Sequence, residues 1–200
     1  MVSEALILAS GSVARRRLLE SAHIPFQIKV SNIDEGPIKA DCWAREISAV
    51  ETAIILARAK ADNVGKDRPD NFVLGVDQIL VCEGLWFDKP AGRDALRAQL
   101  VQLGGRIHKL INVAVVVQDG AVVWQHQDVI TMVMRPLSNA FIETYINEAG
   151  EAACQSVGGY QLEGMGAQLF DHVGGDFFSI LGLPLLPLLA FMRRCEIVAG

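Results

Sequence analysis

Residues 6–19 read LILASGSVARRRLL, an apolar run that passes through a glycine turn into a basic segment. A short apolar run predicts a buried strand. Gly11 permits a tight turn and Ser12 is a natural helix N-cap, so we expect a helix directly after the strand. Backbone N–H groups and the positive end of the helix dipole then point to one place. The stretch predicts a strand–turn–helix unit with an anion-binding end.

Three arginines follow the turn, Arg15, Arg16 and Arg17. Guanidinium groups bind phosphate oxygens bidentately, which favours a phosphate site at the start of the helix. Neighbours on a helix are about 100° apart, so at most two of the three can face one ligand. The alternative is an ordinary serine-capped basic helix whose arginines are solvated.

The next elements are predicted from apolar periodicity. An apolar stripe from Trp43 to Ala61 predicts one long helix, with Lys60 near its C-terminal end. Residues 72–81 predict a strand with Asp77 in its middle. Asp94 to Leu103 predicts a helix that stops at two glycines. Asp119-Gly120 between two β-rich runs predicts a hairpin.

The remaining chain continues this alternation. We expect a third strand around residues 129–134, a helix that Ser138 caps through about Asn147, further strands after Gly159, and a closing helix near Pro184. Early alternation of strands and helices followed by a hairpin predicts an α/β fold with a mixed sheet. A dinucleotide-binding fold has little support, because no G-x-G-x-x-G follows the first strand.

Two charged residues stand out in these elements. Asp77 interrupts an apolar strand, and charged side chains are almost never fully buried unless they are paired. It is therefore either a satisfied structural carboxylate or an active-site acid. Lys60 at a helix C-terminus is by itself explained as a solvated partner of the dipole.

Composition excludes several classes of protein. Two hundred residues suit one domain or a compact two-lobed unit. A net charge of −5 argues against a nucleic-acid-binding protein. The four cysteines lack zinc-ligand spacing, so reduced thiols in a cytoplasmic protein are expected. The apolar run from Phe177 to Met192 is short for a membrane span and contains two prolines.

Taken together, the motifs resemble the Maf family of nucleotide pyrophosphatases over nearly the full length of the chain. None is specific alone, but their order and spacing are. They are Ser10-Gly11-Ser12-Val13-Ala14-Arg15-Arg16, Asp34-Glu35, Lys60, Gly75-Val76-Asp77-Gln78, Asp88-Lys89-Pro90, Gly164-Met165-Gly166-Ala167 and Ile180-Leu181-Gly182-Leu183-Pro184. Val13 replaces the usual proline, and Asp88 replaces a glycine.

The resemblance implies an elongated α/β fold, a single domain over residues 1–200 with two lobes about a central cleft, as in house-cleaning nucleoside triphosphatases. It implies cleavage of a nucleoside triphosphate to the monophosphate and pyrophosphate, which removes non-standard nucleotides, with a link to division arrest. Asp77 would be the catalytic base. Glu35 and Asp77 would hold Mg²⁺ or Mn²⁺. The phosphate ligands would be Ser10, Ser12, Arg15, Lys60 and Lys89.

Three positions set base specificity in the family, and here they are Ala14, Gln78 and Glu163. The branch that acts on 7-methylguanosine triphosphate carries Trp, Gln and Glu, and this chain matches two of the three. A carboxylate at Glu163 suits guanine N1–H and its exocyclic amine. Ala14, however, lacks a large side chain, so a wider pocket with broader choice is an equal expectation. Glu163 can also be read as an ordinary surface carboxylate.

The sequence leaves two rival functions open. A phosphatase or nucleotidyl transferase would use the same phosphate-binding start, but would release orthophosphate or need an acceptor. A catalytically silent, nucleotide-binding regulator of cell division would tolerate loss of Asp77. We expect no nucleic-acid or membrane partner, and a homodimer is compatible with the sequence.

Overall fold

Strand β1 and helix α1 form the strand–turn–helix unit predicted from residues 6–19. In the computed structural model, which describes residues 6–199, β1 is buried and Ser12 caps α1. The backbone of Ser12 is extended, and its side chain accepts a hydrogen bond from the Arg15 backbone N–H. The predicted turn and cap are therefore confirmed.

Residues 6–199 contain seven strands and seven α-helices. The strands are β1 (Leu6–Leu8), β2 (Phe26–Ile28), β3 (Phe72–Cys82), β4 (Leu85–Phe87), β5 (Ile107–Gln118), β6 (Ala121–Met134) and β7 (Phe170–Gly174). The helices are α1 (Val13–Ser21), α2 (Glu35–Ala44), α3 (Ala49–Gly65), α4 (Arg93–Leu103), α5 (Asn139–Ala153), α6 (Phe177–Ile180) and α7 (Leu185–Arg194).

One seven-stranded mixed sheet has the order β2-β1-β3-β5-β6-β7, with β4 paired to β3. Strands β2 and β3 both pair with β1 in parallel, whereas β4 with β3 and β7 with β6 are antiparallel. A central hairpin joins β5 to β6 through Asp119-Gly120, where both residues have positive φ. The α/β fold with a mixed sheet is confirmed.

The predicted long helix from Trp43 to Ala61 was wrong. The stripe is divided between α2 and α3, and Ser48 caps α3 through a capping box with Glu51. Glu46 between them has a φ of 54°, which no helix continues through. Trp43 is 54% exposed and lies on α2. A stripe with the right period thus hid a break, because the cap residues satisfy the helix ends locally.

Two later expectations also need correction. Residues 129–134 are not a separate third strand but the continuation of β6. After Gly159 the chain forms one strand, β7, together with a 3₁₀ turn and α6, rather than several strands. The helix capped by Ser138 continues past Asn147 to a kink at Gly150, where φ is 58°, and a last turn ends at Ala153. The closing helix begins after Pro184 as predicted.

The chain divides into two compact units. The first consists of the chain up to Asp77, the segment Asn112–Asp128 and the chain from Gly182 onward. The second consists of Gln78–Ile111 and Val129–Leu181. In the first unit the buried face of α3 includes Leu56, Ala57 and Ala61. The arrangement of two lobes about a cleft stays a prediction.

The second unit has an apolar core with one polar network. His108 is 1% exposed, and its Nε2 lies 3.0 Å from the Tyr160 hydroxyl. The Tyr145 hydroxyl donates to the Gly159 carbonyl at 2.9 Å. Across residues 6–199, no helix combines the length and the apolar character needed to cross a membrane.

Candidate active site

Ser10 and Ser12 lie between the end of β1 and the start of α1. In open α/β sheets, ligands bind at the carboxyl ends of the parallel strands, which is where this turn lies. The Ser10 hydroxyl oxygen accepts the Ser12 backbone N–H at 3.3 Å. Ser10 is 9% exposed, and Ser12 is partly buried. The turn therefore presents two hydroxyl groups and the first N–H groups of α1, which is the arrangement that binds anions.

The Arg15 side chain bonds to three separate segments of the first unit. Its Nη1 donates to the Ser10 hydroxyl at 2.9 Å and to the Val76 carbonyl at 3.1 Å, and its Nε donates to the Gly182 carbonyl at 2.9 Å. Burial lowers the pKa of this guanidinium, and the charges of Asp77 and Glu35 oppose that effect. Arg15 is thus a cation enclosed by polar acceptors.

Lys60 lies between two carboxylates of the first unit. Its ammonium Nζ is 2.8 Å from Glu35 Oε1 and 2.7 Å from Asp77 Oδ1. Lys60 is not the solvated dipole partner that its helix position alone suggests, because its side chain is 12% exposed. An ion pair inside a protein is weakly screened, so the geometry of this trio is well defined.

Asp77 is 4% exposed, and among residues 6–199 its second oxygen, Oδ2, has no hydrogen-bond partner. Burial raises the pKa of the Asp77 carboxyl, although Lys60 beside it acts in the opposite direction. At Glu35, burial also acts to raise the pKa, but Lys60, Lys39 and Arg15 together outweigh it and the pKa is lowered. Strand β3 therefore holds a desolvated carboxylate with one oxygen left for another partner.

Gly75 explains how Lys60 reaches Asp77. A Cβ at Gly75 would lie 2.0 Å from the Ala57 carbonyl oxygen and 2.9 Å from the Ala61 nitrogen. Only glycine allows β3 to approach the backbone of α3 this closely. Lys60 lies on the same turns of α3 as Ala57 and Ala61, and Asp77 lies two residues after Gly75 on β3. The close approach of helix and strand therefore brings the side chains of Lys60 and Asp77 into contact.

Gln78, the next residue of β3, belongs to the second unit. Its amide nitrogen donates to the carbonyls of Ser179 and Ile180, at 3.3 and 3.2 Å. Because both neighbours are acceptors, the amide must present nitrogen to them, and Oε1 is left to accept a hydrogen bond. The carbonyls belong to α6, whose N-cap Asp176 accepts the Ser179 N–H at 2.7 Å.

The structure groups the predicted site residues by unit. The first unit contains Ser10, Ser12, Ala14, Arg15, Glu35, Lys60 and Asp77, and the second contains Gln78, Lys89 and Glu163. Ala14 is half-buried on α1, whereas Lys89 and Glu163 are exposed. Within residues 6–199, no group of three or more His, Cys, Asp or Glu side chains is placed to hold a metal ion.

The family model described as Maf-like protein matches residues 5–195. The chain belongs to the Maf family. Three similar relatives align with almost the whole of this chain, and almost the whole of each relative is included in the alignment. A nucleoside triphosphate pyrophosphatase of Paramagnetospirillum magneticum is 48% identical over 188 residues, 94% of this chain and 97% of the relative.

The other two relatives carry two different names. A nucleoside triphosphate pyrophosphatase of Granulibacter bethesdensis is 46% identical over 189 residues, 94% of this chain and 96% of the relative. A 7-methyl-GTP pyrophosphatase of Mesorhizobium japonicum is 41% identical over 199 residues, the full length of both chains.

In each unit, several groups around the predicted residues are not side chains that a sequence motif selects. In the first unit they are Gly75 and the carbonyls of Val76 and Gly182 that accept from Arg15. In the second unit they are the carbonyls of Ser179 and Ile180 that orient Gln78. Gly75 and Gly182 both lie in motifs that resemble the Maf family. Backbone carbonyls carry no sequence signal, so only the fold reveals them.

Proposed function

We propose that this chain hydrolyses nucleoside triphosphates between the α and β phosphates, releasing the nucleoside monophosphate and pyrophosphate. One observation carries the proposal. The buried Asp77 carboxylate has one oxygen on Lys60 and one oxygen without a partner in residues 6–199. A binding protein gains nothing from such a group beside a polyanion, whereas a hydrolase needs it. Membership of the Maf family and the names of its relatives support the same activity.

Asp77 acts as the general base in this proposal. The Asp77 carboxylate accepts a proton from the attacking water, while Lys60 holds Oδ1 in place with a 2.7 Å hydrogen bond. A base with a raised pKa is better matched to proton abstraction near neutral pH. The buried position excludes competing waters and strengthens each charge interaction nearby.

The triphosphate is held by groups that donate hydrogen bonds or carry positive charge. We assign this role to Ser10 and Ser12 with the N–H groups that begin α1, and to Lys60 and Lys89. Oriented donors act on the charge that develops on the phosphate oxygens during hydrolysis. The acidic chain, with a net charge of −5, needs this local positive field to bind a polyanion.

Glu35 and Asp77 are the proposed ligands of a divalent cation, Mg²⁺ or Mn²⁺. The unpartnered Asp77 Oδ2 and a second carboxylate on the same lysine fit a hard cation. Two carboxylates suffice, because Mg²⁺ usually keeps several waters and takes phosphate oxygens as further ligands. When bound, the cation neutralises the developing charge on the phosphates.

The nucleobase of the substrate is proposed to contact Ala14, Gln78 and Glu163. Gln78 offers a carbonyl oxygen as acceptor, and Glu163 offers a carboxylate, so a base that presents N–H donors is favoured. Guanine and its 7-methyl derivative do so through N1–H and the exocyclic amine. The small Ala14 leaves room for other bases, which fits relatives named for nucleoside triphosphates in general.

The decisive experiment is hydrolysis of a nucleotide panel with Mg²⁺ or Mn²⁺, with pyrophosphate and orthophosphate measured separately. The panel contains 7-methylguanosine, guanosine, uridine and thymidine triphosphates. We expect pyrophosphate release that chelation of the metal abolishes. Asp77→Asn should lower kcat by about 10²- to 10⁴-fold. Asp67→Asn is the matched control, because that carboxylate is exposed in the same unit.

Other outcomes would contradict the proposal. Release of orthophosphate alone would make the protein a phosphatase. Nucleotide binding without turnover, unchanged in Asp77→Asn, would make it a binding regulator of division. Equal loss in Asp67→Asn would show that the carboxylate acts on stability.

We further propose that the enzyme acts in the cytoplasm on free nucleotides and removes non-standard ones, without a nucleic-acid or membrane partner. All four cysteines are free thiols, as expected in a reducing compartment. A homodimer remains a proposal that sedimentation of the purified protein tests.

A further inference from the structure

Arg15 uses three of its N–H donors on acceptors of the protein itself. A guanidinium carries five N–H donors in a planar fork. Three hydrogen bonds from Nε and Nη1 join Ser10, Val76 and Gly182. If the group turned toward a phosphate, it would leave two backbone carbonyls and a hydroxyl without their partner. Leaving buried acceptors without their hydrogen-bond partners is unfavourable.

The contact with Ser10 determines what that hydroxyl can do. A serine oxygen has two lone pairs and one proton. Both lone pairs are used, one by the Ser12 backbone N–H at 3.3 Å and the other by Arg15 Nη1 at 2.9 Å. The proton is therefore what Ser10 has left to offer, and a hydrogen bond from a cation strengthens it as a donor. Ser10 is thus set to donate to an anion.

The contacts of Arg15 with the Val76 and Gly182 carbonyls fix the backbone near Asp77, the proposed general base. Val76 directly precedes Asp77, and its carbonyl is held by the same Nη1 that holds Ser10. Gly182 has a φ of +104°, and a Cβ there would lie 3.4 Å from Arg15 Nε. One guanidinium thus sets the distance between the serine turn and the strand that bears Asp77.

We propose that Arg15 is a positioning residue, which acts through Ser10 and the Val76 backbone instead of binding the phosphates itself. This inference rests on the proposed function, because Ser10 is taken as a phosphate ligand. It replaces the direct phosphate contact that the resemblance implies for Arg15.

A double-mutant cycle on kcat/KM tests the proposal, with Ser10→Ala, Arg15→Gln and the double variant. Loss of one hydrogen bond to a charged ligand should lower kcat/KM about tenfold in Ser10→Ala. Arg15→Gln should lower it at least as much. If Arg15 acts through Ser10, the double variant is no worse than Arg15→Gln alone, within about twofold. Multiplied losses would overturn the proposal, because they would show independent contacts with the substrate.

Arg15→Lys separates charge from geometry. Lysine keeps the positive charge but lacks the fork that spans three acceptors. We expect it to be as impaired as Arg15→Gln. Activity within threefold of the wild type would overturn the proposal in favour of a charge contact with phosphate. Arg17→Gln is the matched control, because Arg17 is exposed on the same helix and should leave kcat/KM unchanged.

Amide hydrogen exchange of the substrate-free protein gives a readout that needs no turnover. Arg15→Lys should accelerate exchange at least tenfold at residues 10–12, 76–78 and 182–183, whereas Arg17→Gln should not. Unchanged exchange would overturn the positioning role, even in an active enzyme. If the wild type hydrolyses no nucleotide while the exchange result holds, the proposed function fails and the three-way tie of Arg15 stands.

Discussion

At the scale of single residues, the site depends on how closely charges are brought together. Lys60 contacts Glu35 and Asp77, and the charges of both carboxylates also act on Arg15. Lys60, Arg15 and, beside Glu35, Lys39 therefore offset the negative charges of the two carboxylates within the first unit. This balance allows a carboxylate as buried as Asp77 to exist in a strand, since an unpaired buried charge is strongly unfavourable.

Gly75→Ala should damage both stability and turnover. The added methyl group would lie 2.0 Å from the Ala57 carbonyl oxygen, so α3 must move away from β3. We expect the free energy of unfolding to fall by about 1–3 kcal/mol. The increased distance between Lys60 Nζ and Asp77 Oδ1 should lower kcat/KM by about ten- to a hundredfold. Urea unfolding and initial rates measure the two effects.

Gly65→Ala is the control, since its Cβ would meet Val73 Cγ2 at an ordinary 3.7 Å. Equal behaviour of the two variants would show that α3 shifts without separating Lys60 from Asp77.

Sequence reasoning finds some of these residues and misses others for physical reasons. Asp77 is conspicuous, because an acid inside an apolar strand needs an explanation. The pairing of Lys60 with Glu35 and Asp77 is a long-range contact between α2, α3 and β3, which periodicity does not encode. Gly75 is an ordinary strand glycine until the neighbouring helix is known.

At the scale of elements, local signals predicted the starts of helices better than their lengths. Ser12 and Ser138 lie at the N-caps expected from the sequence, and the closing helix begins directly after Pro184, near where it was expected. The apolar stripe from Trp43 to Ala61 failed, because the four-three spacing continues by chance across the break before Ser48. A capping box is local chemistry and overrides such a pattern.

The short helix α6 matters because its carbonyls orient Gln78. Asp176→Ala removes the acceptor of the Ser179 N–H and should cost about 1 kcal/mol in α6. A loosened α6 should release the Gln78 amide and reduce the preference among bases. We expect the ratio of kcat/KM for 7-methylguanosine over uridine triphosphate to change severalfold, by kinetics on both substrates.

Asp176→Asn should keep that ratio, since asparagine is an equally good cap. Asp171→Ala controls for loss of a carboxylate from the neighbouring exposed strand. An unchanged ratio in Asp176→Ala would show that Gln78 is held by other contacts.

At the scale of the whole molecule, the alternation of elements was enough to predict an α/β fold with a mixed sheet, but not its strand order. Strand β3 pairs with β1, β4 and β5, and these partners are distant in sequence or separated by helices. Strand order depends on which apolar faces pack together. The same alternation of strands and helices is compatible with several strand orders, so the sequence pattern does not choose among them. The predicted cleft between two lobes has no test in either unit alone.

Stability should depend on pH through the polar network in the second unit. Burial lowers the pKa of His108 to about 4, from 6.5 in an unfolded chain. The folded state therefore favours the neutral imidazole, whose contribution is complete above pH 6.5. As the pH falls from 6.5 toward 4, the unfolded chain binds a proton that the folded chain does not. The free energy of unfolding should fall by about 3 kcal/mol over this interval.

Urea unfolding between pH 4 and 7 measures this loss. His108→Gln keeps a polar partner for Tyr160 but does not titrate, so its pH slope should be shallower than that of the wild type. His172→Gln, at an exposed position, should keep the wild-type slope. Identical slopes in all three proteins would mean that the titration of His108 does not contribute.

The bond between Arg15 and Gly182 joins residues that are 167 positions apart. A growing chain on the ribosome cannot make that bond until Gly182 has been synthesised. The segment from Gly182 onward also belongs to the first unit, so a segment made early is completed by one made much later. Closing contacts of such large sequence separation form late in folding. A chain that has not reached Gly182 therefore lacks one of the three hydrogen bonds of Arg15, even if its other strands and helices have already formed.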